Sequence, residues 1–461
     1  MSFASASPDL VASLPYSNDS TALFALLADQ DWAVFLDSGT AETRQGRYDI
    51  LAADPMTTLV TRGLQTEITT RSETRYSQQD PFDVLRSALG PAAQPYADWP
   101  FTGGALGYFS YDLGRRIESL PDTLDNDQDL PEMAVGIYDW VIVVDHDKQQ
   151  THLLSDGRDE KTRRDWAGLV EKFHRPGQTQ ASQSFEGCGQ VSAEISQDQY
   201  AAAFHQIKRY IVEGDCYQVN LAQRFSTRCD ADPWSLYLNL RQFNPAPFSA
   251  YLNLPFVQVL SCSPERFIQV SGDQVKTQPI KGTRPRSSSP QQDQAQAARL
   301  LNSEKDRAEN VMIVDLLRND MGKNCVTGSV KVPRLFEVQR FATVHHLVST
   351  ITGKLAPDSD TLALLRGCFP GGSITGAPKI RAMEIIEALE SHRRGIYCGA
   401  IGYIDFNGDM DTNICIRTLT YQQGLLHFWA GGGIVHDSTL EGEYQESFDK
   451  AAAILKFFGV K

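Results

Sequence analysis

YCGAIGYIDFNGDMDTNICIRTLTY, Tyr397 to Tyr421, decides the fold class. Two β-type runs flank Asn407–Gly408, a dipeptide that adopts positive φ readily and so closes a tight hairpin. The runs are therefore antiparallel neighbours. After the turn, Asn413, Cys415 and Arg417 alternate with other residues, which predicts a strand carrying all three on one face. A further run, LLHFWAGGGIV (Leu425 to Val435), follows directly.

The same pattern spreads outward. CYQVNLAQRFS, FSAYLNL, VQVLSCS, RFIQVSG and QVKTQPI read as strands, and residues 21–150 hold WAVFLDSG, TTLVTRG, GGALGYFSYDLG and DWVIVVDHD, all bounded by turn residues. Helical patterns come in separate blocks. Ser196 and Gln199 form a capping box ahead of Tyr200, Phe204, Ile207 and Ile211, and Gly214 is the stop. A polar helical block runs from Pro290 to about Arg318. PGGSITGAPKIRAMEIIEAL is a glycine-rich loop opening a helix with Pro378 in its first turn, and a last amphipathic helix spans Leu440 to Phe458. Strands in runs and helices in runs predict an α+β fold with mostly antiparallel sheets, not a doubly wound parallel one.

The chain has 461 residues, more than one ordinary core organises. HRPGQTQASQSFEGCGQVS, residues 174–192, has no hydrophobic period and divides a β-rich N-terminal segment, 1–180, from a second segment, 190–461. A net charge of -14 disfavours nucleic acid and anionic membranes as partners, though a local basic cluster can still hold a small anion. The first residues lack the basic and apolar regions of a signal peptide, and no apolar run reaches the ~18 residues of a membrane span. The eight cysteines stand singly, which suggests neither a zinc site nor a disulfide framework. The expectation is a soluble, cytoplasmic chain with reduced thiols.

Several groups invite a chemical reading. Asp306 and Glu309, in EKDRAENVMIVDLLRND, are three apart and share a helix face; so do Glu443 and Glu446 in LEGEYQES. Each pair is either a solvated face or, with the other, a seat for a hard divalent ion such as Mg²⁺, which uses one or two carboxylates and keeps several waters. GGSITGAPK has the wrong spacing for a nucleotide phosphate loop; it is either a helix cap or a backbone anion site. The glycines Gly431, Gly432 and Gly433 make a bulge or admit a ligand close to the backbone. Arg417 is either an edge residue reaching water or a carboxylate clamp. Glu265 is either the partner of Arg266 or an acid, and Lys281, in TQPIKGTRPR, is a solvated turn residue or an amine held for chemistry where the chain leaves a strand.

The order of SCSPERF, PIKGTRPR, EKDRAENVMIVDLLRND, HHLVSTI, PGGSITGAPK, CGAIGYID, IRTL and AGGGIV…EGEYQE resembles the chorismate-utilising enzymes, which include anthranilate, aminodeoxychorismate, isochorismate and salicylate synthases. The likeness is dense over residues 195–461 and looser before them. It implies two large sheets packed as a sandwich with helices outside. It also implies Mg²⁺ held by Glu309 and Glu446, with Asp306 and Glu443 assisting through water. Arg417 and the backbone at Gly431 to Gly433 would bind the enolpyruvyl carboxylate. Gly282, Thr283, Thr375 and Tyr403 would line the pocket, His346 would sit beside the ring, and Glu265 would protonate the departing hydroxyl.

Two positions separate the branches. Isochorismate and salicylate synthases carry a water-activating lysine where this chain has Gln218, so water is not the expected nucleophile. Anthranilate synthases resemble PIAGTRPR at the segment that reads PIKGTRPR here, as in the aminodeoxychorismate synthases. The resemblance thus implies conversion of chorismate and ammonia to 4-amino-4-deoxychorismate, toward 4-aminobenzoate and folate. Lys281 would attack ring C2 covalently, or else act as a wedge or proton shuttle. The alternatives are anthranilate synthase component I and a non-catalytic ligand-binding relative. With no glutaminase nucleophile pattern in the chain, ammonia would come from a separate glutamine amidotransferase subunit. Ser38 in LDSG, and Asn244 and Pro245 in FNPAPFSAYL, resemble a tryptophan-binding element of the family, though Asp37, Gly39, Ala246 and Phe248 depart from it.

Overall fold

The computed structural model describes residues 10–39, 46–94, 96, 99–175, 187–341 and 344–460. Most of the 174–192 linker segment lies outside the described residues. The strands form two sheets of twelve, and all the ladders between their named strands are antiparallel. The first sheet runs from Leu10–Leu14 through Gln150–Ser155, Trp140–Asp145, Tyr48–Ala52 and Ala33–Asp37. It continues through Phe248–Leu254, Val257–Ser263, Thr418–Gln422 and Leu425–Ile434 to Gln218–Arg228. The second runs from Ile280–Pro285 through Val344–Lys354, Gln274–Thr277, Arg266–Ser271, Met410–Asn413 and Ala400–Asp405. It then passes Gly104–Phe109, Met133–Tyr138 and Thr57–Arg62 to the hairpin that ends at Ser77. Both sheets take strands from both sides of the 174–192 segment, joined through the Ala33–Asp37/Phe248–Leu254 and Gly104–Phe109/Ala400–Asp405 ladders.

The sandwich follows from strands that are apolar on both faces. In WVIVVD, Val141 and Val143 enter an apolar cluster with Leu106, Tyr108 and Ala134 of the other sheet, while Trp140, Ile142 and Val144 face outer helices. Period-two geometry sends alternate residues to opposite sides, so a continuous apolar run serves two cores at once. Helices Glu160–His174 and Pro233–Phe243 cover the first sheet; Pro81–Leu89, Glu304–Gly322 and Thr361–Cys368 cover the second. The expected helix-sheet-sheet-helix layering is present.

Local signals translate directly. Helix Gln197–Glu213 has the full Ser196/Gln199 capping box and ends on Gly214 in the left-handed conformation. Asn407 and Gly408 turn between Ala400–Asp405 and Met410–Asn413. Other expectations need correction. The polar block is two helices, Pro290–Leu301 and Glu304–Gly322, because Ser303 caps the second by accepting from Asp306 N–H. Pro378 is the cap of helix Lys379–Leu389 and not part of its first turn. Asn413, Cys415 and Arg417 do not share a strand: the chain leaves the second sheet at Asn413 and joins the first at Thr418, with Arg417 at φ 52°. Cys188 is disulfide-bonded to Cys229, 41 residues away, where an antiparallel bridge sets the two side by side; the other six cysteines are free and buried. No described helix is long and apolar enough to cross a membrane.

Candidate active site

Two sheet-to-sheet crossings lie against each other. Val257–Ser263 of the first sheet passes through Pro264 and Glu265 into Arg266–Ser271 of the second; the return crossing is Ile414 to Arg417. The Ile414 N–H donates to the Glu265 carbonyl (3.0 Å), the Ser263 hydroxyl to the Ile414 carbonyl (2.6 Å), and the Cys262 N–H to the Arg417 carbonyl (3.0 Å). Glu265 and Arg417 thus belong to neither ladder and sit at the same junction. Arg266, the alternative partner of Glu265, is instead bidentate to Asp411.

Lys281 lies inside the Ile280–Pro285 strand, not at its exit as TQPIKGTRPR suggests. Its pairing with Val344–Lys354 slips between Lys281 and Thr283, with Gly282 as the extra residue at φ 78°. A bulge of this kind re-aims the neighbouring side chain. The Lys281 ammonium donates to the Ser373 carbonyl (3.1 Å). Ser373 also hydrogen-bonds the Glu265 carboxylate through its side chain. Burial pushes the Glu265 carboxyl up to about 7, against the pull of Lys281 and of the hydrogen bonds from Ser373 and the Ile280 backbone. Burial lowers the Lys281 amine from its ordinary range, although Glu309, Glu265 and Glu446 favour its charged form. Acid and base are shifted toward each other, the arrangement that serves proton transfer.

Glu309 of the first acidic pair meets Glu443 and Glu446 of the second at one edge of this cluster. Lys305 Nζ is 3.5 Å from Glu443 Oε1 and 3.9 Å from Glu309 Oε1, and Lys450 Nζ is 2.7 Å from Glu446 Oε1. Burial pushes Glu309 up. It acts the same way on Glu446, but Lys450, Lys305 and Lys281 outweigh it and hold that carboxyl below its ordinary range. Gly432 explains how the last helix approaches: a Cβ there would lie 2.9 Å from Glu443 Oε2 and 3.1 Å from Glu446 Oε1. Glu443 Oε2 is buried without a hydrogen-bond partner. Among the described residues no three carboxylate, imidazole or thiol groups enclose an ion by themselves. The open carboxylate oxygens suit Mg²⁺, which completes its shell with water and ligand oxygens. Asp306 is turned to Arg284 (3.0 Å) beneath Gly282.

Arg417 has a half-buried guanidinium with no ion pair or side-chain hydrogen bond among the described residues, and burial lowers its pKa. A cation held so calls for an anionic ligand. His346 is buried beside it and bonded to the Thr283 hydroxyl (2.9 Å); burial, with the Arg417 charge, pushes its imidazole down to about 3, so it is neutral. Gly433 lies under the Gln218 side chain, whose Oε1 is buried without a partner. Gly431 receives Lys450 on its carbonyl (3.0 Å). The hydroxyl of Thr375 donates back to the Gly371 carbonyl (3.1 Å), and Tyr403 packs on Phe101 (ring centroids 5.0 Å) beside Arg266 and Asp411. Both side chains thus contact the fold itself.

The glycine-rich loop owes its composition to packing. Lys379, its only lysine, pairs with Asp320 (2.6 Å) and is not free for a phosphate. A Cβ at Gly376 would lie 2.1 Å from the Gln218 carbonyl. Buried Arg394, paired with Glu390 (2.6 Å), donates to the Ile374 carbonyl (3.0 Å) and the Asn220 carbonyl (2.9 Å), which pins the loop and Ser373 with it.

Away from this cluster, Ser38 donates its N–H and hydroxyl to Asp49 (2.8 and 2.7 Å). Asn244 Nδ2 is buried without a partner, Pro245 follows it, and Gly39 lies so close to Ala246 that a Cβ would be 2.7 Å from its carbonyl. The LDSG and NPAP segments are therefore in contact. Sequence reading missed Lys305, Lys450 and Ser373. The two lysines had a signal, since each stands four residues from a site glutamate on the same helix face; Ser373 had none.

The family model described as chorismate binding enzyme matches residues 33–456. The chain is 49% identical over 453 residues to aminodeoxychorismate synthase component 1 of Escherichia coli strain K12, covering 98% of each chain. It is 38% identical over 434 residues to anthranilate synthase component 1 of Thermus thermophilus, covering 93% of each. The crystal structure of anthranilate synthase component I from Streptococcus pneumoniae TIGR4 superposes with a TM-score of 0.81 at 31% identity, covering 90% of this chain and 93% of that one.

Proposed function

The chain belongs to the chorismate-binding enzyme family, and from that premise we propose that it replaces the C4 hydroxyl of chorismate with an amino group, giving 4-amino-4-deoxychorismate. One observation carries the choice among family members: a half-buried lysine, Lys281, is turned by a bulge toward Ser373 at the acid Glu265, with its amine pKa lowered by desolvation. In the likeness to anthranilate synthases this position is alanine, and alanine offers no nucleophile.

The Lys281 nitrogen forms a bond to ring C2 and gives up a proton. Both ring double bonds shift, C1=C2 to C1=C6 and C5=C6 to C4=C5, the C4–oxygen bond breaks, and Glu265 supplies the proton that lets hydroxide leave as water. Ammonia then bonds to C4 and gives up a proton, both double bonds return to their places, and the C2–nitrogen bond breaks as Lys281 takes that proton up. Arg417, which has no counter-charge among the described residues, would hold a substrate carboxylate, with Gly431 to Gly433 allowing close approach. Neutral His346 and Thr283 would border the ring, and Gly282 would permit the bulge. Glu309 and Glu446 would hold Mg²⁺, with Glu443 and Asp306 assisting through water; the ion supplies charge neutralisation of the ring carboxylate. A separate glutamine amidotransferase subunit would supply the ammonia. Close approach of Gly39 to Ala246, which brings the segment of Ser38 to that of Asn244 and Pro245, with an Asn244 amide nitrogen that has no partner among the described residues, supports an amino-acid site such as that for tryptophan.

Incubating the protein with chorismate, Mg²⁺ and an ammonium salt tests the reading. Aminodeoxychorismate, identified by mass and absorbance, is expected; anthranilate, isochorismate or no product overturns it.

A further inference from the structure

We propose that Lys208 is a positioning residue for the cation-binding carboxylates, acting through Ser438 on Glu443. The inference rests on the reading above that these carboxylates hold a divalent ion. Lys208 projects from helix Gln197–Glu213 to the turn joining the Gly431–Gly433 strand to the helix that bears Glu443 and Glu446. Its ammonium donates to three carbonyls of that turn, those of Val435 (3.3 Å), His436 and Ser438 (3.1 Å). Three N–H donors are all a lysine has. Three converging carbonyl dipoles repel one another unless a cation lies among them, so the ammonium sets the shape of the turn.

That shape directs one hydroxyl proton. The Val435 N–H donates to Ser438 Oγ (3.0 Å), so the proton of Ser438 points away, to Glu443 Oε1 (2.6 Å). Ser438 and Glu443 are both buried. With Oε1 fixed, the carboxylate cannot rotate freely, and Oε2 stays buried without a partner over Gly432 beside Glu446. An acceptor so buried is costly unless a ligand satisfies it. The chain of contacts from Lys208 therefore holds an open carboxylate oxygen in place before any cation arrives. Neither Lys208 nor Ser438 is among the residues placed in contact with substrate or ion.

The test is Mn²⁺ titration of the full chain, followed by electron paramagnetic resonance, alongside steady-state assays at varied Mg²⁺. Lys208→Met is expected to weaken Mn²⁺ binding by about tenfold, the usual cost of losing an outer-shell partner. Its turnover should recover at high Mg²⁺, a change in metal requirement at constant kcat that general destabilisation does not produce. Lys208→Arg should restore part of the affinity, because a guanidinium also donates to carbonyls. Ser438→Ala, which leaves the turn lysine intact, should weaken Mn²⁺ in the same direction and stands in if the lysine variant does not fold. Unchanged Mn²⁺ affinity in Lys208→Met or in Ser438→Ala overturns the inference while leaving the proposed reaction untouched. Absence of Mn²⁺ binding by the unaltered chain overturns both this inference and the metal assignment.

Discussion

Lys281 and Glu265 show what a buried site does to two ordinary side chains. Desolvation penalises the charged form of each, so the acid rises to about 7 and the amine falls. Replacing Lys281 with Ala should abolish any covalent adduct in the mass spectrum of the denatured protein and reduce turnover by several orders of magnitude. Chorismate and Mg²⁺ binding by calorimetry should change little. Normal turnover in that variant would refute covalent attack. Glu265 must carry its proton to act, so kcat/KM should fall as pH rises through about 7. The stability sign agrees: because the folded carboxyl lies above its ordinary 4.5, its contribution is full below that pH and is lost as pH rises through about 7, at most about 3 kcal/mol. Glu265→Gln should flatten that part of the thermal-melting profile, and an unchanged profile would place the titration elsewhere.

At the scale of elements, the site depends on four local arrangements. Gly432 lets the last helix set Glu443 and Glu446 on the strand, so Gly432→Ala should displace both carboxylates and weaken Mn²⁺ by about tenfold without changing circular dichroism. The Ile280–Pro285 bulge turns Lys281, and the paired crossings at Glu265 and Arg417 bring acid and guanidinium to one junction. The fourth is the Arg394–Glu390 pair behind the glycine-rich loop. Removing one partner of a buried pair costs about 3–5 kcal/mol, so Arg394→Met should lower the melting temperature clearly and loosen Ser373. A melting temperature equal to that of the unaltered chain would show the loop held by other contacts.

For the whole molecule, the decisive feature is that both sheets run through both segments of the chain. Residues 1–180 expressed alone would leave the Ala33–Asp37 and Gly104–Phe109 strands without their partners, and unpaired central edges aggregate. Each segment alone should be insoluble, whereas co-expression of 1–180 with 190–461 should yield a soluble complex; a folded 1–180 fragment would contradict this.

The α+β class, the capping box at Ser196, the Asn407–Gly408 hairpin and the sets of apolar strands were legible along the sequence, because each depends on residues a few positions apart. So were the acidic pairs, since i,i+3 spacing is a property of one helix. The likeness of the ordered motifs supplied the family. What no local pattern contained were contacts between distant parts: the crossing that takes Arg417 out of its expected strand, the Cys188–Cys229 bond, Ser373 between Lys281 and Glu265, and Lys305 set against Glu443 of another helix. These were decided only when two sheets closed on each other. Desolvation, close approach and charge pairing act between atoms that are near in space, and the sequence order records nearness only within an element.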